Sequence, residues 1–311
     1  MSAQPREFRK TVAGRDLILT VGALAGQTDA SVTARYGDTV VLGTCLMGPA
    51  RPDRDFLPLL VEYEEKFYAA GKIKGSRFVK REGKPTDTAV TTGRLIDRSI
   101  RPLFPDGMRS DVHVVATVLS YDDENDAGLV ALLAISAALA ISRIPWRGPI
   151  GAVRVGRRNG EFVVNPLLDA QKESDVDLVV AATEREAVML EADAREISED
   201  DLVSAIDVGT KAAADLAVLL REIVSEVGVE KAAGEYVAIP ADLAAAVRAE
   251  GRRDIEQALE PGGSKLAIQE RVDLVAKRLV EKFGDKDEKA QAVKSVCHDL
   301  HREVVREWIL T

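Results

Sequence analysis

The 311-residue sequence is poor in the side chains that most often announce chemistry: it has two cysteines, three histidines and two tryptophans. Cys45 and Cys297 stand far apart and make no disulfide framework, a usage that fits a reducing, cytoplasmic setting. Cys45, inside V-V-L-G-T-C-L-M, reads as a buried strand residue. Cys297 and His298 with His301 offer at most three ligands on one helix, and no second cluster completes a tetrahedron, so no metal site is expected. The most apolar run, Ala127 to Ile141, falls short of the roughly 20 residues of a membrane span. The opening MSAQPREFRK lacks the apolar stretch of a secretory signal. A Ser-His-Asp signature and a Walker loop are missing too; Gly156-Arg157-Arg158-Asn159-Gly160 reads as a hairpin turn and not as a phosphate cradle.

Positive charge is also in deficit, with a formal net charge of −9, and what there is of it is concentrated. Between Lys66 and Arg101 ten Lys and Arg stand against Glu82, Asp87 and Asp97, a local +7 that leaves −16 for the rest of the chain. Such an asymmetry draws a polyanion to one face while the remaining surface repels it. The peak is K-G-S-R-F-V-K-R-E-G-K, Lys74 to Lys84, where five cations surround Phe78 with one acid among them.

The composition, 46% apolar and 30% charged, is that of a globular protein, and the length allows two domains. Residues 6 to 68 read as successive strands, rich in β-branched residues and broken at Gly14, Gly26 and Gly37-Asp38, which predicts an antiparallel meander. A helix is expected to start at Thr86-Asp87 and to end before Pro102. V-H-V-V-A-T-V-L-S follows as a buried strand. G-L-V-A-L-L-A-I-S-A-A-L-A-I-S is apolar nearly all round and so predicts a central helix. Asn159-Gly160 marks a hairpin, D-V-D-L-V-V-A-A-T and A-V-M-L-E-A-D-A two more strands, and Ser198 caps a long helix to Val227. Beyond about Pro240 the chain is Ala, Glu, Lys, Arg and Leu without strand pattern, punctuated by Pro261-Gly262-Gly263 and Gly284-Asp285. The reading is α+β, with a core over 1–235 and a small all-α domain over 236–311.

Gly75 and Gly83 bracket the basic loop and free its backbone. An exposed ring at Phe78 is a sequence-blind platform for an unpaired base, and Lys80 and Arg81 beside it meet phosphates. In T-T-G-R-L-I-D-R-S-I-R-P, Arg94, Arg98 and Arg101 follow at steps of four and three, which sets their guanidinium groups along one helical face. Planar forks of donors in a row suit a line of phosphates.

Y-E-E-K-F-Y-A-A-G-K-I-K-G-S-R-F-V-K-R-E-G-K-P, then R-L-I-D-R-S-I-R-P-L-F-P, I-P-W-R-G-P-I-G-A-V-R-V-G and E-S-D-V-D-L-V-V-A-A-T, together resemble the first core of the bacterial polynucleotide phosphorylases. The resemblance covers roughly residues 5 to 230, and the helical module matches in position and character. It implies an RNase PH-like core (ribosomal protein S5 domain 2-like) and a family activity of phosphate-dependent 3′-to-5′ exoribonuclease, or polyribonucleotide nucleotidyltransferase. The members carry two related cores per chain and close three chains into a ring around an RNA channel. The implied partners are single-stranded RNA, a homotrimeric ring and a second RNase PH-like core that is missing from this sequence, either cut away after Thr311 or carried on another chain, with no membrane. In that family two aromatics and two cations line the channel; the matching positions are Phe78, Val79, Lys80 and Arg81, so one stacking platform is expected where the family has two. The RNA-binding set is thus Phe78, Lys80, Arg81, Arg94, Arg98 and Arg101.

The catalytic core of that family holds phosphate on a Gly-Ser-Ser run at a helix start and carries an Asp-x-Lys triplet. The corresponding places here read Asn125-Asp126-Ala127-Gly128, preceded by Asp122-Asp123-Glu124, and Asp177-Leu178-Val179. Carboxylates at a helix start suit its dipole and repel phosphate, and the lysine is gone. Asp177 reads as a strand residue satisfying local backbone. No catalytic residue and no bound cofactor are expected in this half; Mg²⁺ and inorganic phosphate are implied for the full family enzyme. Two other readings stay open: a half that is catalytic on its own, and a structural ring subunit or interaction module that never touches RNA.

Overall fold

The computed structural model describes residues 4–51, 54, 56–73, 75, 83–233, 239–285 and 287–310. Phe78, Lys80 and Arg81 lie outside the described residues, as does the expected boundary at 235/236. The chain divides into two compact units, Met1–Tyr236 and Val237–Thr311.

Unit 1 opens with β1 (Arg6–Val12), β2 (Arg15–Val21), β3 (Ala30–Tyr36) and β4 (Thr39–Ala50), each antiparallel to the next. Alternate residues point inward, Leu17 and Leu19 on β2, Val32 and Ala34 on β3, Val41 and Cys45 on β4. The period of two that predicts strands is therefore also the period of burial. The expected meander ends there. β5 (Leu59–Glu65) does not lie beside β4; β6 (Ser110–Ser120) takes that place, and β5 forms the edge, parallel to β6, in the order β1-β2-β3-β4-β6-β5. The reason is the connection. Parallel neighbours need a crossover of a dozen or more residues, and α1 (Asp87–Ile100) supplies it.

Thr86 caps α1, its Oγ1 accepting from Ala89 N at 3.0 Å, and the helix buries Ala89, Leu95, Ile96 and Ile100. It passes into a 3₁₀ turn, Arg101–Leu103, at Pro102, which has no N–H to continue the ladder. α2 (Ala127–Ile141) is buried along nearly its whole length and packs on β3 and β4. A Cβ on Gly43 would stand 2.7 Å from the Ala134 carbonyl carbon and 2.8 Å from Ile135 N, so only glycine lets β4 approach the helix this closely.

The second sheet runs β10-β9-β7-β8, from β7 (Gly151–Arg158), β8 (Glu161–Val164), β9 (Val176–Ala182) and β10 (Ala187–Ala194), with α3 (Leu168–Lys172) between β8 and β9. Asn159 and Gly160 both take positive φ in the β7–β8 turn, 52° and 82°. α4 (Glu199–Val227), capped by Ser198 Oγ accepting from Asp201 N at 3.1 Å, packs on β7 and β9 and reaches α2. The segment after α4 returns to the end of α2: Val229 N donates to Ile141 O at 3.0 Å and Ala232 N to Arg143 O at 2.7 Å. Lys231 Nζ donates to the carbonyls of Leu139, Ala140 and Ser142, each at 2.8 Å. Three donors on one ammonium thus satisfy carbonyls that the helix end leaves open.

Unit 2 contains α5 (Ala241–Leu259), α6 (Lys265–Phe283) and α7 (Asp287–Leu310). They close over two apolar clusters, one with Ile255, Leu259, Val272, Leu300 and Val304, the other with Val247, Leu279, Val293 and Cys297. Burial pushes the Cys297 thiol up, and no metal-binding group of His, Cys, Asp and Glu occurs among the described residues. Among these residues no helix is long and apolar enough to cross a membrane.

Candidate functional site

The basic side is built on the far end of β5. After Glu65 the chain makes a 3₁₀ turn, Phe67–Ala70, closed by Gly71 in the left-handed region and by Lys72 N donating to Phe67 O at 2.9 Å. Tyr121 N donates to Ala69 O at 2.9 Å and ties this turn to the end of β6. Thr86 Oγ1, 3.3 Å from Glu65 Oε2, brings the start of α1 back to the same place. Both ends of the basic loop therefore spring from one corner of the sheet. The strand expected to run through Tyr68 ends instead at Glu65; Y-A-A-G, with glycine ready for positive φ, is the signal that marks the turn.

The three arginines of α1 differ in what they hold. Arg94 is exposed and makes no hydrogen bond or ion pair with another described residue. Arg98 pairs with Glu191 on β10, both half-exposed. Arg101, at the helix end, folds back: Nη2 lies 2.8 Å from Asp97 Oδ1, Nη1 3.3 Å from Leu57 O and Nη2 3.3 Å from Leu59 O. Its guanidinium fastens the helix end to the start of β5. Of the three, Arg94 is the one whose donors face solvent alone.

The start of α2 is the opposite case, since its polar groups are spent on one another. Asp126 Oδ1 accepts from Gly128 N at 2.8 Å and Leu129 N at 3.3 Å, the N-cap geometry. Its Oδ2 accepts from Arg154 Nε and Nη2 at 2.9 and 2.7 Å, and Arg154 Nη1 reaches Asp177 Oδ1. Asp177 thus serves Arg154, which corrects the expectation that it satisfies local backbone. Val179, where the lysine of the triplet would stand, is buried in β9. Arg15 adds a clasp, donating to Asn125 Oδ1 and Asn165 O while its guanidinium lies 4.6 Å from the Tyr36 ring centre.

Asp122 closes the corner. It accepts from Asp38 N (3.0 Å), Thr39 N (3.1 Å), Thr39 Oγ1 (2.8 Å), Glu124 N (3.0 Å), Asn125 N (2.8 Å) and Asn125 Nδ2 (2.6 Å). Burial works against its charge, but the hydrogen bonds from Asn125, Glu124 and Thr39 outrun it and hold the carboxyl well below the usual range. A depressed pKa adds stability above the ordinary carboxylate pKa of about 4, and that part is lost as pH falls toward the folded value. Asp122→Ala is therefore expected to destabilise unit 1 at pH 7, with the gap to wild type narrowing below about pH 4. Urea midpoints at pH 7 and pH 3 check this, and a gap that ignores pH would contradict it.

Beside this network lies a cleft of about 500 Å³ whose walls include Asp123, Asp175, Asp177 and Asp193 against Arg154, Lys172 and Arg195. Its potential is legible at Tyr121, whose hydroxyl is pushed up to about 12 by burial and by the carboxylates of Asp123, Asp126 and Asp122. Arg157 and Arg154 are each held by two acids, Asp175 and Asp201 for the first, Asp126 and Asp177 for the second. An incoming phosphate would have to displace a carboxylate to reach either.

The chain matches the 3′ exoribonuclease family, domain 1 over residues 13–145 and domain 2 over residues 148–212. Polyribonucleotide nucleotidyltransferases of Bacillus cereus (strain AH187) and Bacillus anthracis (strain CDC 684 / NRRL 3495) are each 41% identical to it over 307 residues, 99% of this chain and 43% of the relative. It spans less than half the length of these relatives. Two solved structures share the fold: rice (Oryza sativa) Rrp46, TM-score 0.52 at 14% identity over 72% of this chain and 96% of that one, and an Archaeoglobus fulgidus exosome with RNA bound to the active site, TM-score 0.52 at 18% identity over 70% and 89%. With both family domains matched in chain order over residues 13–212, and 41% identity to polyribonucleotide nucleotidyltransferases carried along nearly its full length, the chain belongs to the 3′ exoribonuclease family, as an RNase PH-like core followed in sequence by a helical unit.

Proposed function

We propose that this chain is the RNA-holding, ring-building half of a phosphate-dependent exoribonuclease, and that bond cleavage belongs to a second RNase PH-like core. Phe78 stacks on an unpaired base, and Lys80, Arg81 and Arg94 meet the phosphates beside it. Arg98 joins them by exchanging Glu191, since a solvent-exposed ion pair costs little to give up. Arg101 positions the helix that carries the other two. Three copies around one strand convert weak single contacts into avidity, which is what a homotrimeric ring in the cytoplasm would supply. Mg²⁺ and inorganic phosphate act in the second core.

The observation that carries this reading is the filled start of α2. The N–H groups that would cradle phosphate are taken by Asp126, and the Arg154 guanidinium beside it is shared between Asp126 and Asp177. The test uses this chain with single-stranded RNA and with poly(A) plus phosphate. Filter binding at two salt concentrations is expected to give an affinity that falls steeply with salt, and poly(A) is expected to release no nucleoside diphosphate. Absent or salt-independent binding would favour a purely structural ring subunit. Phosphate-dependent release of diphosphates would overturn the assignment of cleavage to another core.

A further inference from the structure

We propose that β10 is a docking edge for an extended peptide that alternates cationic and apolar residues, added to the second sheet as a further strand. The inference stands apart from the RNA-holding reading. β10 closes the order β10-β9-β7-β8, so its outer backbone groups meet no other strand among the described residues. The chain guards its other edges. β1 carries Arg6, Arg9 and Lys10, and β8 is only four residues long. At the start of β5 Arg101 holds the Leu57 and Leu59 carbonyls, and the strand itself carries three glutamates. Such charge and shortness keep foreign strands away. β10, by contrast, runs from Leu190 to Ala194 in regular register with β9, every one of these residues exposed and neither lysine nor proline among them.

The two faces of this edge differ, and together they identify the partner. Leu190, Ala192 and Ala194 stand opposite Val180, Leu178 and Val176, buried residues on the face where Val180 lies against Gly209 of α4. There β10 offers an apolar shelf, with Leu190 44% exposed. Glu191 and Asp193 alternate with these residues and point to the other face, opposite Val179 and Asp177. Arg98 pairs with Glu191, whereas Asp193 makes no hydrogen bond or ion pair with another described residue. Asp193 and Asp177 are like charges directly across a ladder, an arrangement that an added cation relieves. The cleft beside them carries five carboxylates, Asp169 included, against three cations. Lys172 is taken by Asp169 and Arg154 by Asp126 and Asp177, while Arg195 stands beside Asp175 and is followed by the exposed Glu196. The turn before β10 is no counterweight, since Arg185 stands between Glu184 and Glu186. Main-chain hydrogen bonds supply the affinity, a lysine or arginine opposite Asp193 sets the register, and apolar side chains on the Leu190 shelf add specificity. β10 of a second copy would instead bring these carboxylates against their own kind.

The test titrates the protein with a short capped peptide of alternating valine and lysine, the same peptide with its amides N-methylated, and one with glutamate in place of lysine. The valine–lysine peptide is expected to bind and to slow hydrogen exchange at the amides of β10. N-methylation and the change to glutamate should each weaken binding about tenfold or more, because the first removes main-chain donors and the second the complementary charge. Asp193→Asn and Asp193→Lys should weaken the valine–lysine peptide in that order, with thermal melts unchanged at this exposed position. If the N-methylated peptide binds as well as its parent, surface charge alone holds it and strand addition is refuted. A wild type that does not bind, or Asp193→Lys binding as tightly as wild type, overturns the proposal. If Asp193→Lys instead shifts the oligomeric state, β10 is a subunit contact and the peptide reading falls. Single-stranded RNA binding is expected to be the same in all these variants, so neither result decides the other.

Discussion

Alanine at both Lys80 and Arg81 is expected to weaken single-stranded RNA binding by about ten- to a hundredfold near physiological salt, and to flatten the salt dependence at the same time. The two effects share a cause. Each cation that meets a phosphate releases condensed counterions, about 0.7 per contact on a single strand, so two lost contacts remove roughly 1.4 from the slope of log K against log salt. In the proposed ring of three chains the loss would be multiplied. Phe78→Ala provides the contrast, since stacking releases few ions: affinity falls and the slope stays. Titrations at three salt concentrations separate these patterns. Equal slopes for wild type and the double variant would remove the cations from the binding surface.

The second large effect is expected at Arg154. Its side chain is about one-fifth exposed, as is that of Asp126, and Asp177 is somewhat more open. Arg154→Met leaves two carboxylates facing each other without their shared cation. Breaking a buried pair costs about 3–5 kcal/mol, and partial solvent access reduces this to roughly 2–3 kcal/mol. A triple variant that adds Asp126→Asn and Asp177→Asn should recover part of the loss, because the unpaired charge is then gone while the helix cap retains a polar side chain. Denaturant midpoints of the single, double and triple variants make a closed cycle. Additive effects would mean that the three residues do not act as one network. None of the variants is expected to gain phosphorolysis, since the lysine position of the triplet is still Val179 within the sheet.

The parts of the fold that were legible in the sequence are those fixed locally. Thr86 and Ser198 cap helices because a hydroxyl at that position meets a free N–H three residues on, and Asn159-Gly160 turns because both residues tolerate positive φ. α2 was legible because a helix apolar on every side has only the interior to occupy. β5 was misplaced for the complementary reason: its own residues say strand, but its neighbour is chosen by the crossover through α1. The pairing of Arg154 with Asp177 escaped in the same way. Arg154 stands opposite Val179 and Asp177 opposite Gly156, so the two meet diagonally across β7 and β9, a relation that exists only once register is set. The charge of the basic stretch was open to reading, whereas the commitments of Arg98 to β10 and Arg101 to the start of β5 depend on tertiary neighbours.

The fastening of Lys231 to the last carbonyls of α2 has a practical side. A fragment cut directly after Val227 would seem, by helix boundaries, to keep the whole first unit, yet it would strip the end of its central helix of an ammonium and two amide donors. Those carbonyls at the end of the buried helix would then lose the donors that satisfy them. Any recombinant version of the core meant for binding measurements should therefore retain the residues through Ala232, and a shorter one that aggregates would say nothing about RNA.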